Sequence, residues 1–431
     1  MSVNQKLFDF IAASPSCFHV VRSAAAHLEA CGFSELHETQ AWTLVPGGKY
    51  YVTRNQSSIL AFTIPENTPV GFMMCASHSD SPTFKIKEHP EAESAGLYVK
   101  LNTERYGGML CATWLDRPLS VAGRAVVRDG GRIVSRLVNI DRDLLMIPNV
   151  AIHMMRNAND SMSYNANVDM YPLFGDSAAK GSFRAMIAAE AGAAEGDLLA
   201  ADLFLYNRMP ASVWGKNHEF ISSPKLDDLQ CAFASLEALT AAAPSDAIPL
   251  LAIMDNEEVG SQSKQGAAST FLYDTLRRIT EALGIDYRCA VAQSFLVSAD
   301  NAHAVHPNHP EFSDGNHRVT MNGGIVIKHN ASQRYTTDAI SQAIFASLCA
   351  AVDVPVQYFA NRSDMAGGST LGNIANTQVS LNTVDIGLAQ LAMHSSYETA
   401  GAKDTQYLIT ALTKLFSSSL RMSADGVYEL I

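Results

Sequence analysis

The chain has 431 residues, 47% hydrophobic and 17% charged, with a formal net charge of −12 and a sequence pI near 5.5. That length allows two or three domains with a sizeable core, and the acidic balance, with no basic run interleaved by aromatics, excludes nucleic acid as a partner. Seven cysteines without CxxC spacing predict free thiols in a reducing compartment. A polar-interrupted N-terminus and the lack of a membrane-length apolar stretch predict a soluble cytoplasmic protein with no membrane partner.

In chain order, Ser14-Pro15-Ser16 predicts the cap of a helix through Val20, Ala24, Ala25 and Leu28 that stops near Gly32. GKYYVTRNQSSILAFTI predicts a hairpin, with Asn55-Gln56-Ser57-Ser58 between two strand-like runs. GFMMCAS, residues 71–77, reads as a short buried strand that delivers His78-Ser79-Asp80 at its C-terminal end. From about residue 90 the texture changes to short strand-like runs and turns with little helical character, such as AGRAVVRDGGRIVSRLV around Asp129-Gly130-Gly131. AMIAAEAGAAEGD carries no clear pattern, and the apolar LLAADLFLYN leads into ISSPKLDDLQCAFASLEAL. Beyond it, strand patterns (AIPLLAIMD, YRCAVAQSFLVSAD, GGIVIKH, VPVQYFA, TQVSLNTVDIG) alternate with helical ones (STFLYDTLRRITEAL, TDAISQAIFASLCAAV). This alternation predicts an α/β layer structure in two parts, 1–90 and 220–431, with a β-rich domain at 91–219 inserted between them.

Five short sites carry metal-type residues: His78-Ser79-Asp80, Lys225-Leu226-Asp227-Asp228, Asp255-Asn256-Glu257-Glu258, Ser298-Ala299-Asp300-Asn301 and Met393-His394-Ser395. Three follow strand-like runs, and open α/β sheets gather ligand-binding groups beyond the carboxyl ends of their strands. Singly, each has an ordinary reading. The HxD is a surface pair or a satisfied histidine, Asp227-Asp228 and Glu257-Glu258 are acidic helix starts, and His394 is a core histidine. Jointly they supply histidine nitrogens and carboxylate oxygens for two divalent ions, one carboxylate to bridge them, and another free to move a proton.

In this order and spacing HSD, LDD, DNEEVGS, SADNAHAVHPN and AMHSSYE, together with SPSCFHVV and SDMAGGSTLG, resemble the aspartyl aminopeptidase family of dinuclear zinc exopeptidases. The resemblance covers essentially the whole chain. It implies a three-layer α/β zinc-peptidase catalytic domain carrying an inserted β-rich dimerisation domain. It also implies two zinc ions per subunit, with Asp227 as the bridging carboxylate, His78 and Asp300 on one ion, and Glu258 and His394 on the other. Glu257 is then the general base that takes a proton from the activated water and passes it to the leaving amine, while Asp80 fixes the tautomer and orientation of His78. Cobalt and manganese share such His/carboxylate sites with zinc, and availability often decides among them.

The same resemblance implies peptide substrates with a free N-terminus, an acidic first residue (Asp or Glu), and a homo-oligomer, typically a dodecamer built from dimers. Lys328 would face the substrate carboxylate and Tyr335 would donate a hydrogen bond; the alternatives are a snorkelling strand-end lysine and, for neighbouring Arg334, a surface charge. Ser363, Asp364 and the Gly367-Gly368 pair would form a loop at the pocket. His153, which from the residues alone reads as a half-buried strand histidine, would reach the site of a neighbouring subunit. Departures from eukaryotic members in MAGGST and SSYETAGAKD leave the metal set intact and bear on the acidic preference. The rival readings are a dinuclear deacylase or carboxypeptidase acting on small amides, and a non-catalytic cage-forming scaffold.

Overall fold

The structure, a computed structural model, describes every residue of the chain except 244. A nine-stranded sheet runs in the order Ser34–Leu36, Lys49–Arg54, Ser58–Thr63, Ile248–Met254, Phe72–His78, Phe295–Ala299, Asn382–Gly387, Ile325–His329, Val356–Ala360. The middle strands, from Ile248–Met254 to Asn382–Gly387, are mutually parallel. Parallel strands covered on both sides need apolar side chains on both faces, and the period of two sorts them. Met73, Cys75, Leu251, Ile253 and Val297 face one helical layer, whereas Phe72, Met74, Leu250, Ala252 and Leu296 face the other. The first layer contains the helices Val3–Ala12, Cys17–Ala30, Leu226–Ala241, Ala339–Ala350 and Asp404–Phe416. The second contains Phe271–Leu283, Tyr287–Ala292 and Leu371–Ala375. The three-layer α/β architecture is therefore as expected.

A six-stranded antiparallel sheet follows the order Arg132–Asn139, Leu119–Asp129, Leu198–Asn207, Thr83–Ser94, Tyr98–Tyr106, Leu173–Asp176. It has its own core around Phe84, Trp114, Val121 and Phe183. Residues 83–90 thus open its first long strand, and they do not belong to the nine-stranded sheet. The strands Ser212–Trp214 and Phe220–Ser223 instead join Glu398–Gly401, Ala389–Leu391 and Ala302–His303 in a third sheet of five strands.

Several local expectations change. YRCAVAQSFLVSAD is only half strand: Asp286 accepts the Cys289 N–H and caps the helix Tyr287–Ala292, and the strand begins at Phe295. AMIAAEAG contributes to a helix, Phe183–Glu190, as its Ala, Met and Glu content favours. Val3–Ala12 is a further helix, not among the predicted elements, with Leu7, Phe8 and Ile11 buried. Ser16 stands at the N-cap of Cys17–Ala30, but its side chain makes no capping bond to the helix backbone; its hydroxyl meets His19 Nδ1 at 2.8 Å instead. No helix among the described residues is long and apolar enough to cross a membrane.

Candidate metal centre

Adjacent parallel strands bring three of the sites together. His78 is the last residue of Phe72–His78, Glu257 and Glu258 open a 3-10 turn just beyond Ile248–Met254, and Asp300 follows Phe295–Ala299. Parallel strands end on the same edge of a sheet, so residues distant in sequence converge there. Asp227 and Asp228 stand at the start of Leu226–Ala241 with non-helical φ/ψ of −82/109 and −117/21, so they are not an ordinary acidic first turn. His394 occupies a turn after Ala389–Leu391 at φ +66.

The Asp227 carboxylate divides between two imidazoles. Its Oδ1 lies 3.4 Å from His78 Nε2 and its Oδ2 lies 3.7 Å from His394 Nε2. Asp300 Oδ1 is 3.8 Å from His78 Nε2, and Glu258 Oε2 is 3.4 Å from His394 Nε2. Ligands bound to a tetrahedral zinc at about 2.0–2.1 Å stand about 3.3–3.4 Å from one another. The spacings suit atoms facing a shared cation better than direct hydrogen bonds. Asp227 Oδ1, Asp228 Oδ1 and Glu258 Oε1 are buried acceptors without a hydrogen-bond partner, a condition that a bound cation relieves. These residues fit a metal, and His78, Asp227, Asp228 and Asp300 form one candidate set while Asp227, Glu258 and His394 form another.

Electrostatics point the same way. Asp227, Glu257, Glu258 and Asp300 line an open cavity of about 670 Å³ that has Lys328 as its one lysine. Burial, reinforced by Asp300, Asp80 and Asp227, pushes the Glu257 carboxyl up to about 8. Burial and Asp227 likewise raise Glu258 well above the ordinary glutamate range. Burial alone would raise Asp300 too, but Lys328 and His78 hold it well below the usual carboxylate range. Burial alone would lower His78, but Asp228, Asp227, Asp300 and Asp80 raise it well above an ordinary imidazole. Carboxylates this crowded in low dielectric call for added positive charge.

Supporting groups fix the site residues, and some differ from expectation. His78 Nδ1 meets the backbone carbonyl of Asp80 at 3.1 Å, so main chain contributes to orienting that imidazole. The Asp80 carboxylate accepts the backbone N–H groups of Glu257 and Glu258 at 3.1 and 3.2 Å and the Tyr106 hydroxyl at 2.7 Å. It therefore seats the turn bearing both glutamates. Glu398, the acid that ends AMHSSYE and has no role assigned by the sequence, accepts the backbone N–H groups of Asp227 and His394. Asp228, also unassigned, accepts the His78 N–H at 3.0 Å. Both were missed because their partners are main-chain groups, which no side-chain motif records.

The substrate-side residues separate into two groups. Lys328 and Tyr335 line the cavity, together with His303, which sequence reasoning had passed over inside SADNAHAVHPN. Lys328 is not a free cation: it is 2% exposed, and its ammonium donates to the Asp300 backbone carbonyl at 2.9 Å and carboxylate at 3.4 Å. Arg334 is exposed. Ser363 and Asp364 are exposed and do not line the cavity; Arg362 engages both oxygens of Asp364 at 2.7 Å on the surface. Gly368, Ser369 and Thr370 of the same loop do reach it. A Cβ on Gly367 would stand 2.5 Å from Asn361 Oδ1, so that glycine serves packing within the loop. His153 lies in an exposed turn, outside any strand and outside the cavity of its own chain.

A three-layer α/β fold with His/carboxylate ligand sets gathered at the ends of its parallel strands defines a metal-dependent hydrolase. The family described as Aminopeptidase I zinc metalloprotease (M18) matches residues 10–416. A probable M18 family aminopeptidase 2 of Clostridium novyi (strain NT) is 45% identical over 414 residues, covering 93% of this chain and 95% of that protein. Among solved structures, the Ape4 and Nbr1 complex matches with TM-score 0.93 and 36% identity over 96% of this chain and 85% of that one. The S. cerevisiae mApe1 dodecamer matches with TM-score 0.85 and 28% identity over 96% of each chain. The chain belongs to the M18 family and is a zinc aminopeptidase.

Proposed function

We propose that this aminopeptidase removes acidic N-terminal residues from peptides by means of two zinc ions held on either side of Asp227. The observation that carries the reading is the division of the Asp227 carboxylate between His78 and His394. His78 and Asp300 would hold one ion, Glu258 and His394 the other, and Asp227 both. Paired zinc ions, when bound, lower the pKa of a coordinated water and polarise the scissile carbonyl.

The chain supplies the proton transfers and the positioning. Glu257 lines the cavity beside both ligand sets, where it takes the proton of the attacking water and delivers it to the leaving amine. Cations nearby lower its raised proton affinity toward the neutral range, where a general base works best. Tyr335 and His303 are donor groups at the cavity that support an acidic first residue, and the Lys328 ammonium, which also donates to Asp300, is the cation beside them. The exposed Val150, Ile152 and Met154 around His153 are apolar surface suited to a subunit contact, which supports an oligomer of the kind formed by mApe1, with His153 facing a neighbour's site.

The test is zinc analysis joined to activity on Asp-, Glu- and Leu-peptides and an N-acetylated Asp-peptide, before and after chelation. The expected result is two ions per chain, turnover lost with EDTA and restored by zinc, acidic substrates preferred, and the acetylated peptide untouched. Cleavage of the blocked peptide would refute recognition of a free N-terminus, and equal rates on Asp- and Leu-peptides would refute the acidic preference. Cobalt and manganese reconstitution then shows which ion the site uses best.

A further inference from the structure

The two halves of the centre are braced by different neighbours. His78 and Asp300 are held from within the nine-stranded layer structure: Asp228 takes the His78 N–H, and Lys328 donates to Asp300. The other half is gripped by the segment that leaves the six-stranded sheet at Tyr106. Tyr106 donates its hydroxyl to Asp80, whose carboxylate seats the Glu258 N–H, and Asn256 Nδ2 donates back to that hydroxyl at 2.8 Å. Gly107, at φ +78, lies against Glu258, where an added Cβ would stand 3.2 Å from Glu258 Cβ and 3.3 Å from its carbonyl oxygen. The Gly108 carbonyl meets His394 Nδ1, leaving Nε2 toward the ligand set, and Leu110 N–H donates to the His394 carbonyl at 3.0 Å.

We propose that Tyr106-Gly107-Gly108 is the positioning element for the Glu258 and His394 half of the centre, so that the docking of the six-stranded sheet sets how tightly the second ion is held. The inference rests on the two-ion reading. Its physical basis is that a ligand's orientation is fixed by the group on its far side: the Gly108 carbonyl selects the His394 tautomer, and the absence of a side chain at Gly107 lets the backbone approach Glu258. This segment reaches the first ion's ligands only through Asp80, whose carbonyl and carboxylate stand 3.1 and 3.4 Å from His78 Nδ1, whereas Gly107 lies against Glu258 and Gly108 against His394.

The experiment compares full-length wild type with Gly107→Ala and Tyr106→Phe by zinc content and by competition with a chelator, alongside kcat, KM and thermal melting. In wild type two ions are expected. Both variants should bind the second ion at least about tenfold more weakly; Gly107→Ala should keep the first at wild-type affinity, and Tyr106→Phe, which acts through Asp80, should weaken the first less than the second. kcat should fall with little change in KM, and excess zinc should restore kcat in Tyr106→Phe. Because Tyr106 acts through Asp80, adding Tyr106→Phe to Asp80→Asn should have little further effect on the second ion. Variants that hold both ions as tightly as wild type, or that weaken both ions equally, overturn the proposal; so does full additivity with Asp80→Asn. A wild type that holds a single ion overturns the two-ion reading itself, and this inference with it.

Discussion

The carboxylate of Glu398 accepts the backbone N–H of Asp227 at 3.0 Å across 171 residues of chain. Its other oxygen accepts the His394 N–H at 2.8 Å, and the side chain is fully buried. One acid therefore registers the central carboxylate of the site against a histidine on a different loop. Removing it by Glu398→Ala strands two buried donors at about 1–3 kcal/mol each. The melting temperature should drop and zinc binding should weaken, whereas Glu398→Gln, which retains an acceptor, should be milder. An alanine variant with wild-type melting and metal content would show that the anchor is dispensable.

Lys328 tests positioning against substrate reading. Its ammonium touches Asp300 directly, and Lys328→Met would leave that carboxylate buried without its cation. The expected outcome is zinc affinity reduced about 10- to 100-fold, with kcat lowered on every substrate. Unchanged zinc affinity with only the Asp-over-Leu preference lost would assign Lys328 to the substrate alone.

Glu257→Gln removes the proton carrier and keeps the shape of the side chain. Turnover should fall by about 10²- to 10⁴-fold or more, while zinc content stays at the wild-type value. Substantial residual activity would move the base to another residue.

The raised proton affinity of Glu257 fixes the sign of two pH dependences. Burial and its acidic neighbours carry its carboxyl from 4.5 to about 8, so between those values the folded chain without metal holds a proton that the unfolded chain has lost. The contribution of Glu257 to the stability of the metal-stripped protein, read as the difference between wild type and Glu257→Gln, should then decline as pH rises through that window. Zinc binding should release protons and tighten over the same range, because the cations favour the ionised form. Melting curves of chelated protein from pH 5 to 8, and calorimetric titrations in buffers of different ionisation enthalpy, measure both. A difference between wild type and Glu257→Gln that grows with pH would contradict the assignment.

Much of the fold was legible because it depends on local pattern. The buried run ending at His78, the hairpin around Asn55 and the helix beginning after Ser16 follow from apolar period and turn chemistry over a few residues. The misread part of YRCAVAQSFLVSAD shows the limit: a short apolar run does not distinguish strand from helix, and the Asp286 cap decided it. Nor does the motif around Ser363 and Asp364 record that Asp364 pairs with Arg362 on the surface and leaves the cavity to Gly368, Ser369 and Thr370.

By itself the sequence determined which residues are available: an ordered set of His, Asp and Glu groups following strand-like runs, with two adjacent glutamates to divide between holding an ion and moving a proton. Only the tertiary structure decided what holds them. The Tyr106 bond to Asp80, the Glu398 bond to Asp227 and the Gly108 contact with His394 join positions 26, 171 and 286 residues apart. The last two involve main-chain groups that every residue carries. Such contacts leave no spacing in the sequence, because packing three sheets together, and not local periodicity, brings their partners within reach.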